Sequence, residues 1–161
     1  MKYLISFLFL ALAFSMKSEA KVTLPSILGD NMVLQQQAEV KLWGKARPNA
    51  TVTVKTSWNG QTYKFSSDGK GGWSLTVSTP VAGGPYKIIF NDGELLTLQN
   101  VLIGEVWFCS GQSNMEMPMG CFDRQPVRGA NDIIAKAKPS TPIRMYTTDS
   151  KDGRWVRQFS K

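Results

Sequence analysis

The sequence predicts a mixed fold, an antiparallel β-sandwich over residues 21–100 followed by the opening of an α/β domain over 101–161. Three observations carry this expectation. Residues 22–100 break into short apolar or alternating runs separated by Gly, Asn, Asp and Pro, the punctuation of an all-β domain. Near residue 100 the punctuation stops, and residues 101–109 are almost continuously apolar, as in a strand covered on both faces of a parallel sheet. A helix-forming run and a further apolar run then come after it, and together they read as one strand–helix–strand unit.

The elements are taken in chain order. Residues 1–20 have a basic start at Lys2, an apolar run over 4–14 and the small residues Ser18 and Ala20. This is the pattern of a secretory signal peptide, too short to span a membrane, with cleavage expected near Ala20-Lys21 and a secreted or periplasmic product. No second apolar segment reaches spanning length, so no membrane contact is expected after cleavage. Val22-Thr23-Leu24 and Met32-Val33-Leu34 are short strand candidates around a Gly29-Asp30-Asn31 turn. Residues 39–44 and 51–55 alternate polar and apolar, as half-buried strands do. Asn59-Gly60 is a hairpin signal between residues 51–55 and Tyr63-Lys64-Phe65. Residues 67–72 form a second turn, followed by strand candidates at 73–77, 86–90 and 94–98. Beyond the apolar run at 101–109, residues 131–138 carry a cap residue, Asn131, and good helix formers. Pro139 and Pro142 end that helix, and residues 143–147 form a second strand. One such unit is too little to close a doubly wound domain, so the second domain is expected to be incomplete.

Composition excludes several function classes. The formal charge is +7, falling to +6 when Lys2, Lys17 and Glu19 leave with residues 1–20. The basic residues are scattered rather than striped, so no nucleic-acid partner is expected. Two cysteines and no histidine rule out a zinc site of ordinary spacing, and no metal or cofactor is expected. Cys109 and Cys121 could pair in an oxidising compartment, or Cys109 could be a buried thiol. Oligomeric state is left open.

The chemistry-bearing candidate is the loop Ser110-Gly111-Gln112-Ser113-Asn114. A buried parallel strand delivers its last residues to the carboxyl edge of a sheet, where α/β folds place their sites. Gly111 permits a tight turn or close approach of a substrate. Gln112 and Asn114 supply amides that hold the loop or touch substrate. A free N–H at Ser113 would face a developing oxyanion. The loop is not the Gly-x-Ser-x-Gly elbow, because Met115 stands at the last glycine. A serine hydroxyl needs an adjacent base, most often an imidazole, and the chain has none. Either another base serves, or it lies on sequence beyond this chain, or Ser113 is structural. Glu105 and Glu116 flank the loop but read as solvated carboxylates, and Met115, Met117 and Met119 as packing residues. Trp43, Trp73 and Trp107 lie in apolar runs and read as core, whereas Trp58, beside the hairpin turn, is the better candidate for touching a glycan.

The run Val106-Trp107-Phe108-Cys109-Ser110-Gly111-Gln112-Ser113-Asn114-Met115-Glu116-Met117-Pro118 closely resembles the nucleophile block of the sialate O-acetylesterase family, a branch of the SGNH hydrolases. Asp30-Asn31-Met32-Val33-Leu34-Gln35 and the stretch from Val40 to Gly44 resemble the opening of that family's β-domain. Residues 131–147, with Trp155, are similar to the family's segment after the serine block. The resemblance implies a secreted esterase that removes O-acetyl groups from sugars or glycans, with an SGNH, flavodoxin-like catalytic domain. It implies Ser113 as nucleophile, its N–H as one oxyanion donor, and loop support from Gly111, Gln112 and Asn114. The Asp-x-x-His block that supplies the base in such proteins is absent, so the chain is expected to be an N-terminal portion, inert by itself. A carbohydrate-binding or interaction module without chemistry, and an inactive fragment, are the alternatives.

Overall fold

The structure is a computed structural model that describes residues 22–112, 115, 117–120, 126–138, 143–148, 153 and 155–157. Residues 1–20, read as a signal peptide, lie outside them. Among the described residues the fold is mostly β, with one short helix. The strands are β1 (Val33–Gln35), β2 (Glu39–Lys45), β3 (Thr51–Thr56), β4 (Thr62–Ser66), β5 (Gly72–Ser78), β6 (Gly83–Asn91), β7 (Leu95–Gly104), β8 (Arg144–Tyr146) and β9 (Trp155–Arg157), with helix α1 at Ala130–Lys136.

Five strands form one sheet in the order β1-β7-β6-β3-β4, and β2 pairs with β5 in a second. The large sheet is mixed rather than purely antiparallel, because β1 runs parallel to β7 with Leu34 opposite Ile103. All its other pairings are antiparallel. Period-two alternation sends Val52, Val54 and Thr56 of β3 and Ile88 and Phe90 of β6 inward. They share a core with Leu42 of β2 and with Trp73 and Val77 of β5, so both sheets contribute to one apolar cluster. Trp73 is its centre: its ring lies 5.1 Å from Phe65 and 5.7 Å from Phe90. Gly44 is required beside it, since a Cβ there would fall 2.4 Å from the Thr23 carbonyl oxygen and 2.9 Å from Trp73 Cζ2.

The turns are built by the signals the sequence carries. At the Asn59-Gly60 hairpin, Gly60 takes φ 67°, and Asn59 Oδ1 accepts hydrogen bonds from Thr56 Oγ1 at 2.6 Å and from the Gln61 N–H at 3.0 Å. In the turn after β4, the Lys70 and Gly72 N–H groups both donate to Asp68 Oδ1 at 2.8 Å. Gly71, at φ 81°, lies so close to the Ala46 carbonyl that no side chain would fit.

Three expectations need correction. The run 101–109 is not one buried strand. β7 starts at Leu95 and ends at Gly104, and Val106, Trp107 and Phe108 are 45%, 83% and 89% exposed. Trp107 and Phe108 are left largely uncovered by the described residues. Within β7, Leu98 opposes Ile88 while Val101 opposes Tyr86, so three residues on β7 face two on β6. This is a bulge at Asn100, which sits at φ 56°, and it lets Leu98 and Val101 both point inward. Second, β8 does not complete a strand–helix–strand unit. It pairs antiparallel with β9, Tyr146 opposite Trp155. Third, α1 begins at Ala130 behind Gly129 in the left-handed region, with no side-chain cap from Asn131. Asp132 in its first turn and Lys136 in its last suit the helix dipole.

Candidate active site

The serine loop begins where β7 ends, and that end is held by a clamp that the sequence alone did not reveal. The Gln36 N–H donates to the Gly104 carbonyl at 2.8 Å. The Val106 N–H donates to Gln35 Oε1 at 2.9 Å. Gln35 Nε2 donates to Glu105 Oε2 at 3.1 Å, and Gln36 Nε2 to Glu105 Oε1 at 2.6 Å. The far side of the Gln36 amide, Oε1, accepts the Ala82 N–H at 2.8 Å. The parallel β1–β7 pairing therefore continues as side-chain bonds for two residues past the ladder, fixing the direction in which the chain leaves toward Gly111. The signal for it was the Gln35-Gln36 pair closing the block that begins at Asp30.

The clamp also decides the role of Glu105. Two amide donors, Gln36 first and then Gln35, hold its carboxyl below the ordinary glutamate range. Both carboxylate oxygens of Glu105 are thus engaged in holding the end of β7 to the Gln35-Gln36 segment.

Beyond the clamp, Gly111 and Gln112 are exposed. The Met115 N–H donates to the Gln112 carbonyl, three residues back, at 2.9 Å. A Cβ on Gly111 would lie 2.7 Å from Met115 Cγ, so a side chain there would push the exposed Met115 side chain aside. Ser113 and Asn114, with Glu116 and Cys121, lie outside the described residues. Cys109 is exposed rather than buried. Further on, an open groove of about 380 Å³ lies between Met119-Gly120 and the start of α1, with Asn131 and Asp132 on its wall.

The β8–β9 hairpin is tied back to the large sheet. The half-buried Arg144 donates through Nη1 to the Asn31 carbonyl at 2.9 Å, the Met32 carbonyl at 3.4 Å and the Asn100 carbonyl, and through Nη2 to Asn100 Oδ1 at 2.9 Å. Asn100 Nδ2 donates to Asn31 Oδ1 at 2.7 Å. Trp155 Nε1 donates to the Ile27 carbonyl at 2.8 Å, and the Tyr146 hydroxyl meets Ser26 Oγ at 2.6 Å. The β7 bulge thus turns Asn100 into the socket for Arg144.

Of the tryptophans read as core, only Trp73 is buried. Trp43 is 41% and Trp107 83% exposed. Trp58 is half-buried, its Nε1 donating to the Ser78 carbonyl at 3.0 Å and its ring edge-on to Tyr86 at 5.8 Å. Among the described residues no three His, Cys, Asp or Glu side chains are grouped to hold a metal, and no helix is long and apolar enough to cross a membrane.

The proteins this chain is similar to are carbohydrate acetylesterases. A carbohydrate acetylesterase from Xanthomonas citri, known from its crystal structure, superposes with a TM-score of 0.69 at 28% identity, covering 85% of this chain and 32% of that one. Within that class the sequence relatives are sialate O-acetylesterases. Those of Homo sapiens and Pongo abelii are each 34% identical over an alignment of 105 residues, covering 57% of this chain and 20% of theirs. That of Mus musculus is 34% identical over 102 residues. The resemblance to the sialate O-acetylesterase family is thereby borne out, over about 57% of the chain. The matched region spans about a fifth of these curated relatives' length. No family model matches the chain.

Proposed function

We propose that this chain forms the N-terminal part of a secreted or periplasmic carbohydrate O-acetylesterase, with Ser113 as its nucleophile. The clamp at the end of β7 carries the reading. It fastens the start of the segment that leads to the Gly111-Gln112-Ser113-Asn114 run, in a chain whose relatives are named as acetylesterases. In this proposal the two sheets over residues 21–100 pack as a β-sandwich, and residues from 101 onward open an SGNH-type catalytic domain. Gly111, Gln112 and Asn114 shape the loop and contact the ester.

The reaction that suits such a loop is acyl transfer. Ser113 Oγ attacks the acetyl carbonyl, forming a new C–O bond as its proton passes to a base. The sugar–acetyl ester bond then breaks, and the sugar oxygen takes that proton. Water, deprotonated by the same base, hydrolyses the acetyl-enzyme to acetate and returns Ser113. The Ser113 N–H supports the oxyanion. The base is an imidazole from outside this sequence, which holds no histidine.

Labelling tests the nucleophile directly. The complete gene product carrying this sequence is treated with a fluorophosphonate and digested for mass spectrometry. The adduct is expected on Ser113. An adduct on a different serine, with Ser113 unmodified, overturns the assignment.

A further inference from the structure

We propose that the outward face of the β2–β5 sheet is a glycan platform for a carboxylate-bearing sugar, with Trp43 as its stacking base and Lys41 and Lys45 as its anion contacts. Alternation along β2 turns Leu42 into the core and Lys41, Trp43 and Lys45 out to solvent. The antiparallel register places Ser74 opposite Trp43, Thr76 opposite Lys41 and Gly72 opposite Lys45. Lys41, Trp43 and Lys45 are exposed, Ser74 is exposed, and Thr76 is exposed beside Lys41. The face therefore presents one flat aromatic surface, a row of hydroxyls beside it and an ammonium stem on each side, about 7 Å along the strand.

Trp43 keeps 41% of its surface exposed. Trp73 fills the inner face with its ring against Gly44, and the aromatic pairs within the domain join Trp58, Tyr86, Phe65, Trp73 and Phe90 without Trp43. A large aromatic that keeps two-fifths of its surface in water is informative when polar groups surround the exposed part. Its ring matches the apolar C–H face of a pyranose, while its indole N–H and the Ser74 and Thr76 hydroxyls match the rim. Two ammonium groups against the single carboxylate of Glu39 select an anionic sugar over a neutral one. A single aromatic on a two-stranded sheet fits one sugar ring better than a nucleic-acid strand, which calls for successive stacking platforms. The platform does not depend on Ser113, so it stands or falls apart from the esterase reading.

The test is calorimetric titration of the whole chain with oligogalacturonate, its methyl ester and a single-stranded oligonucleotide. Oligogalacturonate is expected to bind and its uncharged ester to bind more weakly. Trp43→Ala should weaken oligogalacturonate binding by about tenfold or more while the variant stays folded, read as an unchanged circular dichroism spectrum at the titration temperature. Lys41→Gln with Lys45→Gln should reduce oligogalacturonate binding to the level of the ester. Absence of binding by the wild type, indifference to both sets of changes, or tighter binding of the oligonucleotide overturns the proposal.

Discussion

Replacing Arg144 by methionine should loosen the β8–β9 hairpin from the sheet. The guanidinium reaches the Asn31, Met32 and Asn100 carbonyls and Asn100 Oδ1 from a half-buried position. Methionine keeps most of the stem and removes every donor. Hydrogen bonds to a charged donor contribute about 1.5–3 kcal/mol, and part-buried carbonyls recover some of this from water, so a net loss of about 2–3 kcal/mol is expected. For a chain of this size that lowers the melting temperature by roughly 6–10 °C. Arg144→Lys should recover only part of it, since a point ammonium cannot engage four acceptors as the planar fork does. Calorimetry of the wild type and both variants reads the shift. Limited proteolysis between α1 and β9 should accelerate in the methionine variant. Melting temperatures within a degree of the wild type, with unchanged proteolysis, would show that the clasp contributes nothing and refute the reasoning.

Gly44→Ala forces a Cβ against the Thr23 carbonyl and the Trp73 ring. It should cost about 2–3 kcal/mol, read as a lowered urea midpoint at unchanged slope. Glu105 should titrate below the ordinary glutamate midpoint by carboxyl NMR, and Gln36→Ala should move that midpoint back up. Because its folded pKa is depressed, whatever the clamp adds to stability is present above the unfolded pKa and lost as pH falls through the folded one. Asp92 is 5% exposed, and both its carboxylate oxygens lack a hydrogen-bond partner among the described residues. Asp92→Asn should therefore leave the melting temperature unchanged or raise it, and a clear loss would reveal a partner for the charge.

The strands around Asn59-Gly60 and the turn after Phe65 were legible because local chemistry sets them: Gly60 and Gly71 take positive φ, and Asn59 and Asp68 cap their own turns. What escaped was long-range. The parallel pairing of β1 with β7 joins residues about seventy apart, and no local signal records it. The pairing of β8 with β9 depends on Arg144 finding the Asn100 socket, which exists only because β7 bulges there. The tryptophans show the limit of reading burial from composition. Trp43 and Trp73 sit in similar alternating runs, and only register against a partner strand sends one inward and the other out. At the site, the Gly111 to Asn114 run was visible as a motif, while the Gln35, Gln36 and Glu105 clamp that aims it required the fold.

Ser113 is the nucleophile we propose. Acetate release from an acetylated sugar by the complete gene product, wild type against Ser113→Ala, tests it most directly. The alanine variant is expected to fold and to lose activity by about a thousandfold or more. Acetate release by Ser113→Ala at the wild-type rate would contradict that claim.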